Sequence, residues 1–191
     1  MSPTAMHRLL LLFLSIFYLI SCKKEETSSP TNTTPASLPL QLKFSGNGFA
    51  HNGTYPKLYT CDSLGISPGL QWSGAPNTTK SYAITMYTIP PTGDKHVYIV
   101  LYNIPSSVNS IPDKSTSIGS WGINTVDGKN TYTPPCSQGP GAKIYVLTLY
   151  ALSNDANLSF STTKVTMDML YSEIKTKIVD SALMSVTYTR P

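Results

Sequence analysis

Apolar and polar residues alternate along much of this chain at the two-residue period of a half-buried strand. Leu40 to Ser45, LQLKFS, shows the alternation first. Ser81 to Thr88, SYAITMYT, is β-branched and aromatic and predicts a strand. His96 to Ile104, HVYIVLYNI, is apolar almost throughout, which predicts a central strand covered on both faces. Lys143 to Leu152, KIYVLTLYAL, is the third strong strand, and LMSVTYTR closes the chain as another. Leu58 to Thr60 reads as an extended piece leading into CDSLGISPGLQWSGAPNTT, a segment dense in turn formers. The period changes to that of a helix near the end. Met167, Leu170, Ile174 and Ile178 fall three or four apart, and Thr166 can cap a helix MDMLYSEIKTKIV with Asp168 in its favourable first turn. That stripe is core packing, not a cofactor contact. The long turn-rich stretch between Ile104 and Gly141 predicts a loop that binds something or packs over a site. The pattern sums to a mainly β, antiparallel domain with a C-terminal helix, without βαβ alternation or internal repeat.

The N-terminus has a different pattern. Met1 to Arg8 is short and positive, and the apolar run LLLLFLSIFYLI follows from Leu9 to Ile20. At about 1.5 Å per residue this run is too short for a bilayer core of roughly 30 Å. Residues 1–21 therefore read as a secretory signal peptide. Leu19-Ile20-Ser21-Cys22 resembles a bacterial lipobox, which would make Cys22 a lipidated first residue of the mature chain. An ordinary signal peptide with an incidental cysteine is the alternative. Acyl chains on Cys22 would anchor the exported protein to a bacterial membrane, on its periplasmic face or at the cell surface, without spanning it. Residues 22–39 are polar and rich in Ser, Thr and Pro, a flexible tether with a reach of roughly 20–25 Å. Lys23-Lys24-Glu25-Glu26 is either a charged surface tag or plain solvated linker. Residues 40–191 have the length of one domain.

Charge and chemistry narrow the function classes. The net charge is +4, and one unit less once Arg8 leaves with the signal. The positive residues are scattered, so there is no electrostatic footprint for nucleic acid. Cys61 and Cys136 would sit in an oxidising compartment, where they are either bridged or two buried free thiols. The remaining histidines, His51 and His96, are far apart in sequence, and no Cys/His spacing suits zinc. Cys136 in its Pro- and Gly-rich loop has no His–Asn pairing to make it a nucleophile. The residues point to a protein that is not an enzyme and needs no metal or cofactor.

Three blocks carry a resemblance. They are YTCDSLGISPGLQWSGAPNTTKSYAITMY, HVYIVLYNIP, and PPCSQGPGAKIYVLTLYAL with the terminal TYTR. Together, in this order, they resemble the phosphatidylethanolamine-binding protein family in its bacterial Raf-kinase-inhibitor-like branch. The resemblance implies a central antiparallel β-sandwich with small helices. It also implies a small anion pocket made by two Asp of a turn, a His at the start of the next strand, and a later His-Arg-Tyr. Counting from the shared residues, the first Asp falls on Thr88, and the turn Ile89-Pro90-Pro91 lacks the second. The first His falls on Tyr98, with His96 two residues earlier on the same strand face. The His-Arg-Tyr falls on Lys143-Ile144-Tyr145. Three readings stay open. Thr88, Tyr98, Lys143 and Tyr145 form a retuned pocket for a small anionic ligand or lipid head group, with Pro135 in the loop opposite. Or the pocket is dead and the domain is a scaffold that binds or inhibits a protein partner. Or His96 substitutes for the missing imidazole. Trp72 is expected in the core, and Asp62 is expected to hold a turn.

Overall fold

Period-two segments become two antiparallel sheets in the computed structural model, which describes residues 41–91, 93–138, 140–158 and 164–191. The proposed signal peptide, Cys22 and the tether lie outside the described residues. One sheet has three strands in the order β1-β2-β5, formed by Lys43–Gly46, Leu70–Ser73 and Ser110–Ile111. The other has five, in the order β6-β4-β3-β7-β8. Its strands are β3 (Ser81–Thr88), β4 (His96–Pro105), β6 (Ser120–Trp121), β7 (Ala142–Leu152) and β8 (Ile178–Thr189). Among the described residues no helix is long and apolar enough to cross a membrane.

The strongest segments fold as their pattern says. β3 coincides with SYAITMYT, and β4 is buried on both faces. One core lies between the sheets, where Trp72, Ile84, Met86, Leu101, Leu147 and Leu149 meet. The other lies on the far side of the five-stranded sheet, where Ala83, Val100 and Leu152 pack under Leu170 and Ile174 of α1 (Met167–Ile174). Thr166 caps that helix by accepting the Met169 amide at 3.2 Å. Trp72 is in the core, only 5% exposed.

Other expectations need correction. The helix stops at Ile174, and Ile178, read as its last apolar position, is instead the first residue of β8. β-branched Ile178 pairs with Leu152 at the end of β7, Val179 being the extra residue of a bulge there, and the twelve-residue strand outweighs one more helical turn. Of Leu58 to Thr60 only Thr60 is extended: Lys57–Tyr59 form a 3-10 turn, closed by the Thr60 hydroxyl on the Lys57 carbonyl at 2.9 Å. β5 and β6, two residues each, are too short to show a period, and the alternation of β2 is hidden among flanking turn formers. In β2 only Leu70 and Trp72 point inward.

Two irregularities in β4 have consequences. Met86 pairs with Ile99 but Tyr87 pairs with Val97, so Tyr98 is an extra residue in the ladder. Such a bulge turns the inserted side chain onto a neighbour's face, and Tyr98 joins Ile99 in the inter-sheet core. At the other bulge Asn103 takes a φ of 54°, a left-handed conformation that asparagine tolerates. Its amide exchanges hydrogen bonds with the backbone of Ala156, at 2.7 and 3.2 Å. The Asn of Tyr-Asn-Ile-Pro thus pins the segment leaving β7 back onto the sheet.

Cys61 and Cys136 are bridged, with Cα atoms 5.2 Å apart across 75 residues of sequence. By chain-entropy reasoning a loop of that length makes the bridge worth about 4–5 kcal/mol. Cys61→Ser with Cys136→Ser should lower the guanidinium unfolding midpoint by a corresponding amount. Equal midpoints for this variant and the parent would show that the bridge contributes nothing.

Candidate functional site

One end of the five-stranded sheet gathers the predicted residues. β3 ends there, β4 and β7 start there, and β8 ends there. Thr88 pairs with His96 across β3 and β4, and Lys143 pairs with Tyr188 across β7 and β8. Cross-strand partners share a face, so all four belong to the face carrying Tyr98 and Tyr145. Thr88 is buried, and its hydroxyl donates to the Ile144 carbonyl at 2.6 Å. It ties β3 to β7 rather than facing a ligand. His96 is exposed at the rim. The Lys143 ammonium donates to the Pro140 carbonyl at 3.3 Å. Pro135 is buried, and its carbonyl accepts the Cys61 amide at 3.1 Å beside the disulfide. The Pro90-Pro91 corner and the first residues of β7 line one largely apolar groove of about 470 Å³.

Inside this end lies a cluster of tyrosines. The rings of Tyr98 and Tyr145 stand 5.6 Å apart at 69°, and Tyr55 packs 5.8 Å from Tyr145. Buried phenols need partners, and most of these have them. The Tyr55 and Tyr132 hydroxyls are 3.0 Å apart. Tyr132 in turn donates to the Tyr59 carbonyl, and Tyr59 donates to Asp113 at 3.0 Å. Tyr188 donates to Asp62 at 2.8 Å. The hydroxyls of Tyr98 and Tyr145 make no hydrogen bond to another described residue; the residues are only 5% and 1% exposed, but the two oxygens themselves keep contact with solvent. Burial pushes the Tyr145 phenol up to about 12, with Tyr188 and the Asp62 charge adding to the rise. Burial likewise raises Tyr98, with Tyr145 beside it. Both stay protonated at physiological pH and offer O–H donors.

Asp62 and Arg190 close the cluster, and sequence reasoning missed their pairing. Asp62 does not hold its own turn. That turn is closed by Thr60, whose hydroxyl accepts the Asp62 amide at 3.3 Å. The Asp62 carboxylate instead reaches the other end of the chain, accepting from Tyr188 and from Arg190 Nε at 2.8 Å each. Arg190 also donates through Nη1 to the Ser137 carbonyl at 3.2 Å. The Tyr-Thr-Cys-Asp and Tyr-Thr-Arg blocks were visible in the sequence, but nothing local says that they meet. The Cys136 sulfur is committed to the disulfide. His51 points elsewhere, its Nδ1 accepting the Ser185 amide at 3.0 Å. Among the described residues no group of three or more His, Cys, Asp or Glu is placed to hold a metal. The arrangement suits binding through O–H and N–H donors rather than proton transfer between a paired acid and base.

The hydrogen bond from Tyr188 holds the Asp62 carboxyl below its usual range, and Arg190 adds to the shift against the opposing effect of desolvation. A carboxylate with a depressed folded-state pKa stabilises the fold above its unfolded pKa and loses that contribution as pH falls through the lowered value. Asp62→Asn should therefore melt below the parent at pH 7, and the two melting curves should converge as pH falls below the carboxylate range. A gap that persists unchanged at pH 2 would assign the effect to something other than this charge.

Comparison with known proteins agrees with the fold. The sequence profile of the phosphatidylethanolamine-binding proteins matches residues 45–189. A UPF0098 protein of Chlamydia pneumoniae is 29% identical over 147 residues, covering 74% of this chain and 95% of that protein. One from Methanothermobacter thermautotrophicus is 30% identical over 117 residues, covering 59% of this chain and 77% of its own. The crystal structure of a phosphatidylethanolamine-binding protein homologue from Chlamydia trachomatis superposes with a TM-score of 0.73 at 24% identity, over 80% of this chain and 99% of that one. Escherichia coli YbcL superposes with a TM-score of 0.70 at 21% identity, over 79% and 99%. The two solved structures establish the shared fold, and the profile match over most of the sequence shows that this chain belongs to the phosphatidylethanolamine-binding protein family.

Proposed function

We propose that this protein is a non-catalytic, exported binding protein, held to a membrane through a lipidated Cys22, that takes a small anionic or phospho-head-group ligand at the tyrosine-lined end of its larger sheet. One observation carries the ligand reading. Tyr98 and Tyr145 present two protonated, unpartnered phenols beside the Asp62–Arg190 pair. Neither oxygen is closed off from solvent, so a ligand that accepts from these hydroxyls takes the place of water at the mouth of the cluster. A phosphate or carboxylate oxygen accepts from O–H and guanidinium N–H groups, and charge-assisted bonds of this kind are the strong ones. The name of the family points to the same class of ligand. The export and anchoring reading is supported by the basic start, the short apolar run and the Cys22 register.

A second reading has its own support. Ile89 and Ile144 are 60% and 59% exposed beside the Pro90-Pro91 corner, on the apolar groove at the same end of the sheet. That surface suits a protein partner, with the domain acting as an inhibitor-type scaffold.

The ligand reading is tested by melting the protein with inorganic phosphate and with phosphoethanolamine. The melting temperature should rise as ln(1 + [L]/Kd). Tyr98→Phe and Tyr145→Phe remove only unpartnered hydroxyls. They should leave the free protein within about 0.5 kcal/mol of the parent and weaken the ligand about 2–10-fold each. Lys143→Ala and Arg190→Gln should reduce or abolish the rise. An anion-independent melting temperature into the millimolar range, or a rise indifferent to all four variants, would sink this reading and leave the scaffold reading standing.

A further inference from the structure

The opposite face of the five-stranded sheet carries a second recess. α1 covers only part of that face, and a cavity of about 420 Å³ opens between the helix and β3, β7 and β8. That volume is within the range of small-molecule sites. Its floor is a cross-strand row in which Thr85 pairs with Thr148 and Thr148 with Leu183. The two threonines are buried, 3% and 8% exposed, and their hydroxyls approach the phenol of Tyr150. Three hydroxyls thus meet at the floor. Each can both donate and accept. The walls combine aromatic rings, Tyr87 on the sheet and Tyr171 on the helix, 51% exposed and 6.3 Å from Tyr150, with aliphatic side chains such as Met167, Ile178 and Leu183. At the rim Lys95 and Asp168 pair at 3.9 Å, and the Lys95 ammonium lies 5.1 Å from the centre of the Tyr87 ring.

This chemistry selects among ligands. An anion would meet Asp168 and gain no unpaired cation. A cation would have to displace Lys95 from the ring it already covers. A wholly apolar ligand would leave the remaining donor and acceptor capacity of the three hydroxyls unused. What fits is a neutral molecule with a flat C–H face for the rings and its own hydroxyls for the floor. The axial C–H bonds and equatorial hydroxyls of a pyranose supply both. We propose that this recess binds a neutral hexopyranose unit of a glycan, which stacks on Tyr171 and hydrogen-bonds to Thr85, Thr148 and Tyr150.

Calorimetric titration of the full-length chain with maltotriose, cellotriose and chitotriose tests the proposal. At least one should bind saturably in the millimolar range or tighter. Tyr171→Ala should weaken that binding about tenfold, 1.4 kcal/mol, while its exposed position leaves the melting temperature unchanged. Thr85→Val should weaken it as well, and Tyr98→Phe, on the other face, should not. No saturable heat from any of the three sugars would overturn the proposal. So would binding indifferent to Tyr171→Ala. Sedimentation that showed a dimer broken by Leu183→Lys would assign the face to a second copy of the chain and overturn it too.

Discussion

Burying tyrosine imposes the constraint on which the inter-sheet core is built. A tyrosine ring repays burial as a large apolar surface, but its hydroxyl must find a partner or stay in reach of water. At one end of the larger sheet this chain buries Tyr55, Tyr59, Tyr98, Tyr132, Tyr145 and Tyr188. Tyr55 and Tyr132 pair hydroxyl to hydroxyl, Tyr132 also reaches the Tyr59 backbone carbonyl, and the Tyr59 hydroxyl is satisfied separately by Asp113. Tyr188 is satisfied by Asp62. Tyr98 and Tyr145 are the remainder, and their hydroxyls stay in reach of water where the packed core meets the end of the sheet.

The framework around that surface is assembled from distant pieces. The disulfide joins the loop of Cys61 to that of Cys136. The residue after Cys61 is Asp62, which clamps Tyr188 and Arg190 at the end of β8, and Arg190 reaches back to Ser137 one position past Cys136. Covalent bond, ion pair and carbonyl contact thus close one ring of structure. Because the Asp62 and Ser137 loops are tethered beside each other, Arg190 is oriented by two contacts and keeps a third nitrogen unassigned. The positions where the family resemblance implies carboxylates and imidazoles hold Thr88, Tyr98 and Lys143. Of these, Thr88 has become a structural tie between strands. The donors that remain at this end of the sheet are the two phenols and the C-terminal guanidinium.

The two faces of the larger sheet use the same residue type differently. On the inner face tyrosines are enclosed between sheets and their protonation is fixed by burial. On the outer face Tyr87, Tyr150 and Tyr171 border an open recess whose lining includes Thr85 and Thr148. α1 ends at Ile174, β8 takes Ile178 into the sheet, and the recess opens beside the helix.

The sequence alone determined the elements whose signal is local. Alternation and β-branching gave β3, β4 and β7, a threonine before an apolar stripe gave the helix start, and the ordered short blocks gave the family and its sandwich. These succeed because periodicity and capping act between neighbours a few residues apart. Tertiary structure alone decided the rest. The two-residue strands β5 and β6 exist only because a longer partner lends them a ladder. The helix end was set by competition with β8. The inward turn of Tyr98 came from a register slip against β3. The Asp62–Arg190 clamp spans 128 residues, and no local pattern encodes which carboxylate a terminal arginine will meet, because that choice is made by loop closure and packing rather than by sequence spacing.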